Sequence, residues 1–222
     1  MQLNEKQHVS TNDSKESSTT AYGQITLYTR LAQSLFNCSW KHGKLGLVQF
    51  ASIMTKISKA AREDDPYADW YLLKSYQALF DVREKIQAIE LTLAQHLDNL
   101  RGVKVTLSSN GQCLHFPLQF STPYGFMGAY LLADVDYVFR QIATLKRIGI
   151  FYPEDITIKK IVHYLQNAFA IPRYWRHTGI TRQDVITNTE RYQKAKALMG
   201  EVPEAVLKNE IEFSLLLKKT KE

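Results

Sequence analysis

The feature that most limits how this chain can fold is an apolar stripe running through residues 66–100. Leu79, Val82, Ile86, Ile89, Leu93, Leu97 and Leu100 recur at intervals of three and four, which is the period of one face of an α-helix. Just ahead of it, Asp65-Pro66 offers an N-cap acceptor followed by a proline at the first helical position, a strong start signal. Gly102 stands beyond its end. Such a helix far exceeds the usual three or four turns. It must be either the spine of a folded body or a contact between copies, and the spacing suits both.

Around this helix the chain divides into shorter elements. Residues 1–22 are rich in Ser, Thr, Asn and Lys and nearly devoid of large apolar groups, which predicts a disordered polar arm. From Gly23 to Thr29, Gln24, Thr26 and Tyr28 alternate with Ile25 and Leu27, the pattern of a short strand. Leu31, Leu35 and Phe36 predict a helix ending near His42-Gly43, and Leu47, Phe50, Ile53, Met54 and Ile57 predict another over 46–62. After the long helix, VKVTL and QCLHFPLQF flank Ser109-Asn110-Gly111; Asn-Gly between alternating runs predicts a β-hairpin over 103–120. Helical patterns then cover about 126–147, 154–169, 181–198 and 203–209, punctuated by Gly and Pro. The expected class is mainly α with a few short β-strands (α+β). It comprises an arm at 1–22, a strand-helix-helix unit at 23–63 and a helical extension at 64–222 holding the hairpin.

Charge is distributed unevenly. The 222 residues carry a formal +6, yet no Asp or Glu occurs between Ser17 and Arg62, where Arg30, Lys41, Lys44, Lys56, Lys59 and Arg62 stand. A second basic block, 137–182, sets Arg140, Lys146, Arg147, Lys159, Lys160, Arg173, Arg176 and Arg182 against Glu154 and Asp155 alone. Acids would repel a polyanion, so an acid-free window favours nucleic-acid contact over ordinary solvated lysines.

Chemistry of other kinds is excluded or weak. The apolar runs are too short to span a bilayer, and the N-terminus lacks a secretory signal, so a cytoplasmic protein without membrane contact is expected. Cys38 and Cys113 form no CxxC, and the six histidines are scattered without ligand spacing. GxSxG, Walker, GxGxxG and HExxH motifs are absent. Asp134 and Asp136 lie two apart, on different helix faces, which argues against a carboxylate dyad; Arg140, four residues on, is the natural partner of Asp136. No catalytic residue, cofactor or metal ligand is expected.

The strand at 23–29 cannot stand alone. Its partner is either the same strand of a second copy, making an antiparallel ribbon that fits the DNA major groove, or the sheet of the Asn-Gly hairpin in its own chain. In the first case Gln24, Thr26, Tyr28 and Arg30 would contact bases. Candidate phosphate contacts are Lys41, Lys44 and Lys56 from the acid-free window, with Arg173, Arg176 and Arg182 in IPRYWRHTGITR.

The strand-helix-helix order around QITLY is similar to the ribbon-helix-helix unit of small dimeric repressors. The stretches GLVQFASIMTKISKAAREDDPYADWYLL, PLQFSTPYGFMGAYLLADVDYVF, and ITRQDVITN with ALMGEVPEAVL resemble the AcaB family, encoded on conjugative plasmids and integrating conjugative elements. The resemblance covers roughly residues 23–213. It implies a ribbon-helix-helix homodimer that binds double-stranded promoter DNA and activates conjugative-transfer genes, with RNA polymerase as a further partner and Gln24, Thr26 and Tyr28 at base-facing positions. The competing class is a non-enzymatic structural or single-stranded-DNA-binding component of the conjugation machinery, in which aromatic stacking would replace groove reading.

Overall fold

The computed structural model describes residues 21–37, 45–98, 100, 102–107, 112–176 and 179–208. Strand β1 (Ala21–Leu27) leads into α1 (Arg30–Asn37), α2 (Leu47–Arg62) and α3 (Pro66–Asp98). Strand β2 (Leu114–Phe120) follows, then α4 (Pro123–Arg147), α5 (Glu154–Ala170) and a 3-10 turn (Ile171–Tyr174). Three short helices complete the described chain: α6 (Arg182–Ile186), α7 (Glu190–Met199) and α8 (Glu204–Leu207). The protein is mainly helical, with a two-stranded sheet among the described residues.

Helix α3 starts where Asp65-Pro66 predicts. The Asp65 carboxylate accepts the N–H groups of Tyr67 and Ala68 at 2.9 and 3.1 Å, satisfying two donors that a helix start leaves open. Its stripe of Leu72, Leu79, Val82, Ile86 and Leu93 is buried against α2, α4 and α5. The long helix is therefore a spine of the folded body. Helix α4 lies across it, and the Tyr124 hydroxyl donates to the Leu72 carbonyl at 3.1 Å. Gly128 lets α2 approach α4 closely, since a Cβ there would come within 2.7 Å of a Leu47 methyl. One apolar cluster joins Ile25, Leu35 and Met54 to Ile86, Val135 and Leu165, crossing the division expected near residue 63.

The sheet departs from the sequence expectations. β1 pairs antiparallel with β2 of its own chain, from Ala21 opposite Phe120 to Leu27 opposite Leu114. Along this edge the partner of β1 is thus not a second copy. The expected hairpin is corrected as well: residues 103–107 form no strand, and the Asn110-Gly111 turn lies outside the described residues. Burial explains the exchange. Paired with β1, Phe116 stacks on Phe36 at 4.3 Å, Phe120 meets Phe126 edge-on at 5.4 Å, and Leu118 is buried. VKVTL buries no comparable face, and Val103 remains 63% exposed. A shared apolar face outweighs a local turn signal.

Candidate nucleic-acid interface

Because side chains alternate across a strand, the β1–β2 ribbon has two unlike faces. The inner one carries Ile25 and Leu27 from β1 with Phe116 and Leu118 from β2, packed on α1 and α4. The outer one sets Tyr22, Gln24 and Thr26 opposite Gln119, Pro117 and His115. Of these six, only Thr26 is half-buried; the others are exposed. Thr26 Oγ1 and His115 Nδ1 lie 2.9 Å apart and tie the two strands together on that face.

The end of the ribbon is fixed by Asp136. Its carboxylate, in a side chain only 3% exposed, accepts the Tyr28 N–H at 2.9 Å, the Thr29 N–H at 2.8 Å and the Thr29 hydroxyl at 2.6 Å. Thr29 in turn caps α1, its hydroxyl accepting the Ala32 N–H at 3.3 Å and its carbonyl the Gln33 N–H at 3.0 Å. This is why β1 ends at Leu27: the next two N–H groups leave the sheet for a carboxylate on α4. Helical spacing offered Arg140 as the partner of Asp136, but these bonds over more than a hundred residues had no local signature. The Arg140 guanidinium lies 4.1 Å from the centre of the Tyr28 ring, a cation–π contact.

Beside this junction is a cleft of about 370 Å³ between the start of α1, the end of α4 and the start of α5. Arg30, Lys146 and Arg147 line it, with Glu154 as its acid and Phe139 and Ile142 on its apolar side. Lys146 is bridged to Glu154, and the hydrogen bond to that carboxylate holds its ammonium above the ordinary lysine range. The structure thus brings the first half of the second basic block next to Tyr28 and Arg30. Arg140 and Arg147 were absent from the candidate contacts read from sequence. Their signal was present in the stripe 136, 140, 143 and 147, spaced by fours and threes on one side of α4.

The other candidate residues lie elsewhere. Lys56 is exposed on α2 together with Lys59 and Arg62. Arg173 is half-buried in the 3-10 turn, which packs on α2, α3 and α5 rather than on the ribbon. Arg176 is exposed just beyond it, and its charge opposes the burial that raises the Tyr71 phenol. Lys41 and Lys44 lie outside the described residues. Arg182 is engaged internally: its guanidinium bridges Asp64 at 2.5 Å and Asp69 at 2.6 Å, and the side chain is 14% exposed. It also donates to the carbonyls of Leu207 and Val206, both at 3.3 Å. These partners make Arg182 a tie between α3, α6 and α8 and remove it from the candidate phosphate contacts.

Among the described residues, no group of three or more His, Cys, Asp or Glu side chains could hold a metal ion, and no helix is long and apolar enough to cross a membrane. No curated protein sequence matches this one. The crystal structure of selenomethionine-containing AcaB from uropathogenic E. coli is similar to it, with a TM-score of 0.55 at 12% sequence identity. That likeness covers 89% of this chain and 100% of that one, and at such identity it is a likeness of fold. The family described as "Transcriptional regulator AcaB" matches residues 17–215. With that match over most of its length, the chain belongs to the AcaB family of transcriptional regulators.

Proposed function

We propose that this protein is a sequence-specific regulator that binds double-stranded promoter DNA as a homodimer, and that its output is activation of conjugative-transfer genes. The observation that carries the reading is the outer face of β1. Gln24 is exposed and Thr26 half-exposed on a strand whose opposite face is locked into the core. Glutamine can pair bidentately with adenine, and threonine can meet a base edge or the thymine methyl. Tyr28, stacked on Arg140, and Arg30 flank the same strand. Cations at the neighbouring cleft suit the phosphates beside a groove. In a homodimer each copy would bring its strand to one half-site, spaced by the helical repeat of the duplex. Activation, RNA polymerase as partner and a plasmid-associated, cytoplasmic setting rest on the family.

The test is the double variant Gln24→Ala, Thr26→Ala, assayed against a duplex selected by the wild-type protein from a random-sequence pool. Affinity for that duplex should fall by about 1–3 kcal/mol per lost contact, while affinity for unselected duplex is retained. Equal loss on both duplexes would show that β1 does not read bases. A protein that selects no duplex sequence and prefers single strands would belong to the structural class instead.

A further inference from the structure

We infer that the cleft beside the ribbon is an effector site for a small organic anion with an apolar body, and that its occupation releases DNA. The inference rests on the DNA-binding function proposed above and adds to it the regulation of that surface.

The lining of the cleft supplies the first argument. Its rim carries three exposed cations, Arg30, Lys146 and Arg147, against one acid, Glu154. The bridge between Lys146 and Glu154 leaves the rim net positive. Beneath it Leu31 of α1, Ala143 of α4 and Ile158 of α5 are half-buried, over a floor of Phe139 and Ile142. A duplex phosphate needs polar and cationic partners; it has no apolar surface to set against those five side chains. The cleft volume, about 370 Å³, is that of a small-ligand site. A carboxylate or sulfonate head suits guanidinium groups on the rim, and a hydrocarbon or aromatic body suits the floor.

Position supplies the second. Arg30 is the first residue of α1, directly after Thr29, whose N–H and hydroxyl are fixed by Asp136. Thr29 and Arg30 both line the cleft, so one of its walls is the junction at which the ribbon meets the body. An anion held there engages the Arg30 and Arg147 charges that a duplex would otherwise use. Two ligands that draw on the same cations weaken each other by the same factor.

The experiment titrates the full-length protein, free of DNA, with the fluorescent anion anilinonaphthalene sulfonate and then displaces it with octanoate, octanol or inorganic phosphate. One site per chain is expected, with octanoate displacing at a concentration about tenfold or more below that of the other two. Ala143→Trp, which fills the cleft, and Ile158→Glu, which sets a like charge in it, should each abolish the site while native circular dichroism is kept. Relative to equal acetate, octanoate should weaken wild-type binding of the selected duplex about 5- to 150-fold and leave duplex binding by Ala143→Trp unchanged. Displacement by phosphate as readily as by octanoate would reduce the cleft to a phosphate clamp, and by octanol as readily, to an apolar surface. Either result overturns the inference while the proposed function stands. So does a site that survives in both variants, or octanoate binding that leaves duplex affinity unchanged. If the wild type selects no duplex sequence, the groove-reading function fails, and the displacement series still decides the cleft.

Discussion

Asp136 holds Thr29 twice, its Oδ1 accepting both the Thr29 N–H at 2.8 Å and the Thr29 hydroxyl at 2.6 Å. One carboxylate on α4 thereby sets where β1 stops and α1 starts, and so where the ribbon ends against the body. The side chain is buried, so any group that replaces the carboxylate must satisfy the same three donors.

Asp136→Asn presents an amide N–H₂ where an acceptor is needed. Chemical denaturation should show a loss of about 2–3 kcal/mol. Hydrogen exchange should rise first at Tyr28 and Thr29. A variant as stable as the wild type would show that the junction is held by packing alone.

Gly125 sits under the end of β2, and a Cβ there would come within 2.4 Å of the Phe120 ring. Gly125→Ala should cost about 1–3 kcal/mol through displacement of that ring, read as a lowered thermal midpoint. Altered near-ultraviolet circular dichroism from the Phe120–Phe126 pair would accompany it.

Arg182 and Arg147 should separate structure from binding. Arg182→Ala removes the guanidinium that bridges Asp64 and the mostly buried Asp69 and should destabilise the fold by about 3 kcal/mol. It should leave the salt dependence of DNA binding unchanged. Arg147→Ala, at the cleft beside the ribbon, should spare the fold and lower the slope of log affinity against log salt by about one. The reverse pattern in titrations at several salt concentrations would exchange the two roles.

Glu90 lies on α3 near Asp134, which pairs with Arg83 at 3.3 Å. Burial, and then the Asp134 charge, raise the Glu90 carboxyl above its ordinary range. A raised carboxyl disfavours the folded state once it is ionised, so its penalty is absent below the unfolded-state value, about 4.3, and grows as pH rises through the folded-state value. Glu90→Gln should therefore raise stability at pH 7, with the gain vanishing in acid. Thermal melts from pH 3 to 8 would show a gain independent of pH if ionisation is not its cause.

The sequence by itself determined most of the helices, the α3 cap at Asp65, the mainly helical class with short strands, and the family. These are written locally, as a period of 3.6 or 2 and as residue types that stop or start a helix, and the fold preserves them because each buried stripe needs a partner. The one helix expected over 181–198 is instead broken at Asn188, which has a positive φ, into α6 and α7. Only the tertiary structure decided which partner each element takes. Asn110-Gly111 marked a turn, yet β2 went to β1, because the faces of Phe116 and Leu118 bury there and VKVTL buries little. Asp136 and Thr29 are 107 positions apart, and Arg182 and Asp64 are 118 apart; no spacing rule reaches so far. A charge in the sequence carries no mark of whether folding will pair it, so Arg182 counted as a phosphate contact on paper and became a tie between helices in the protein. Arg140 and Arg147, on the stripe that continues from Asp136, were carried to the ribbon instead.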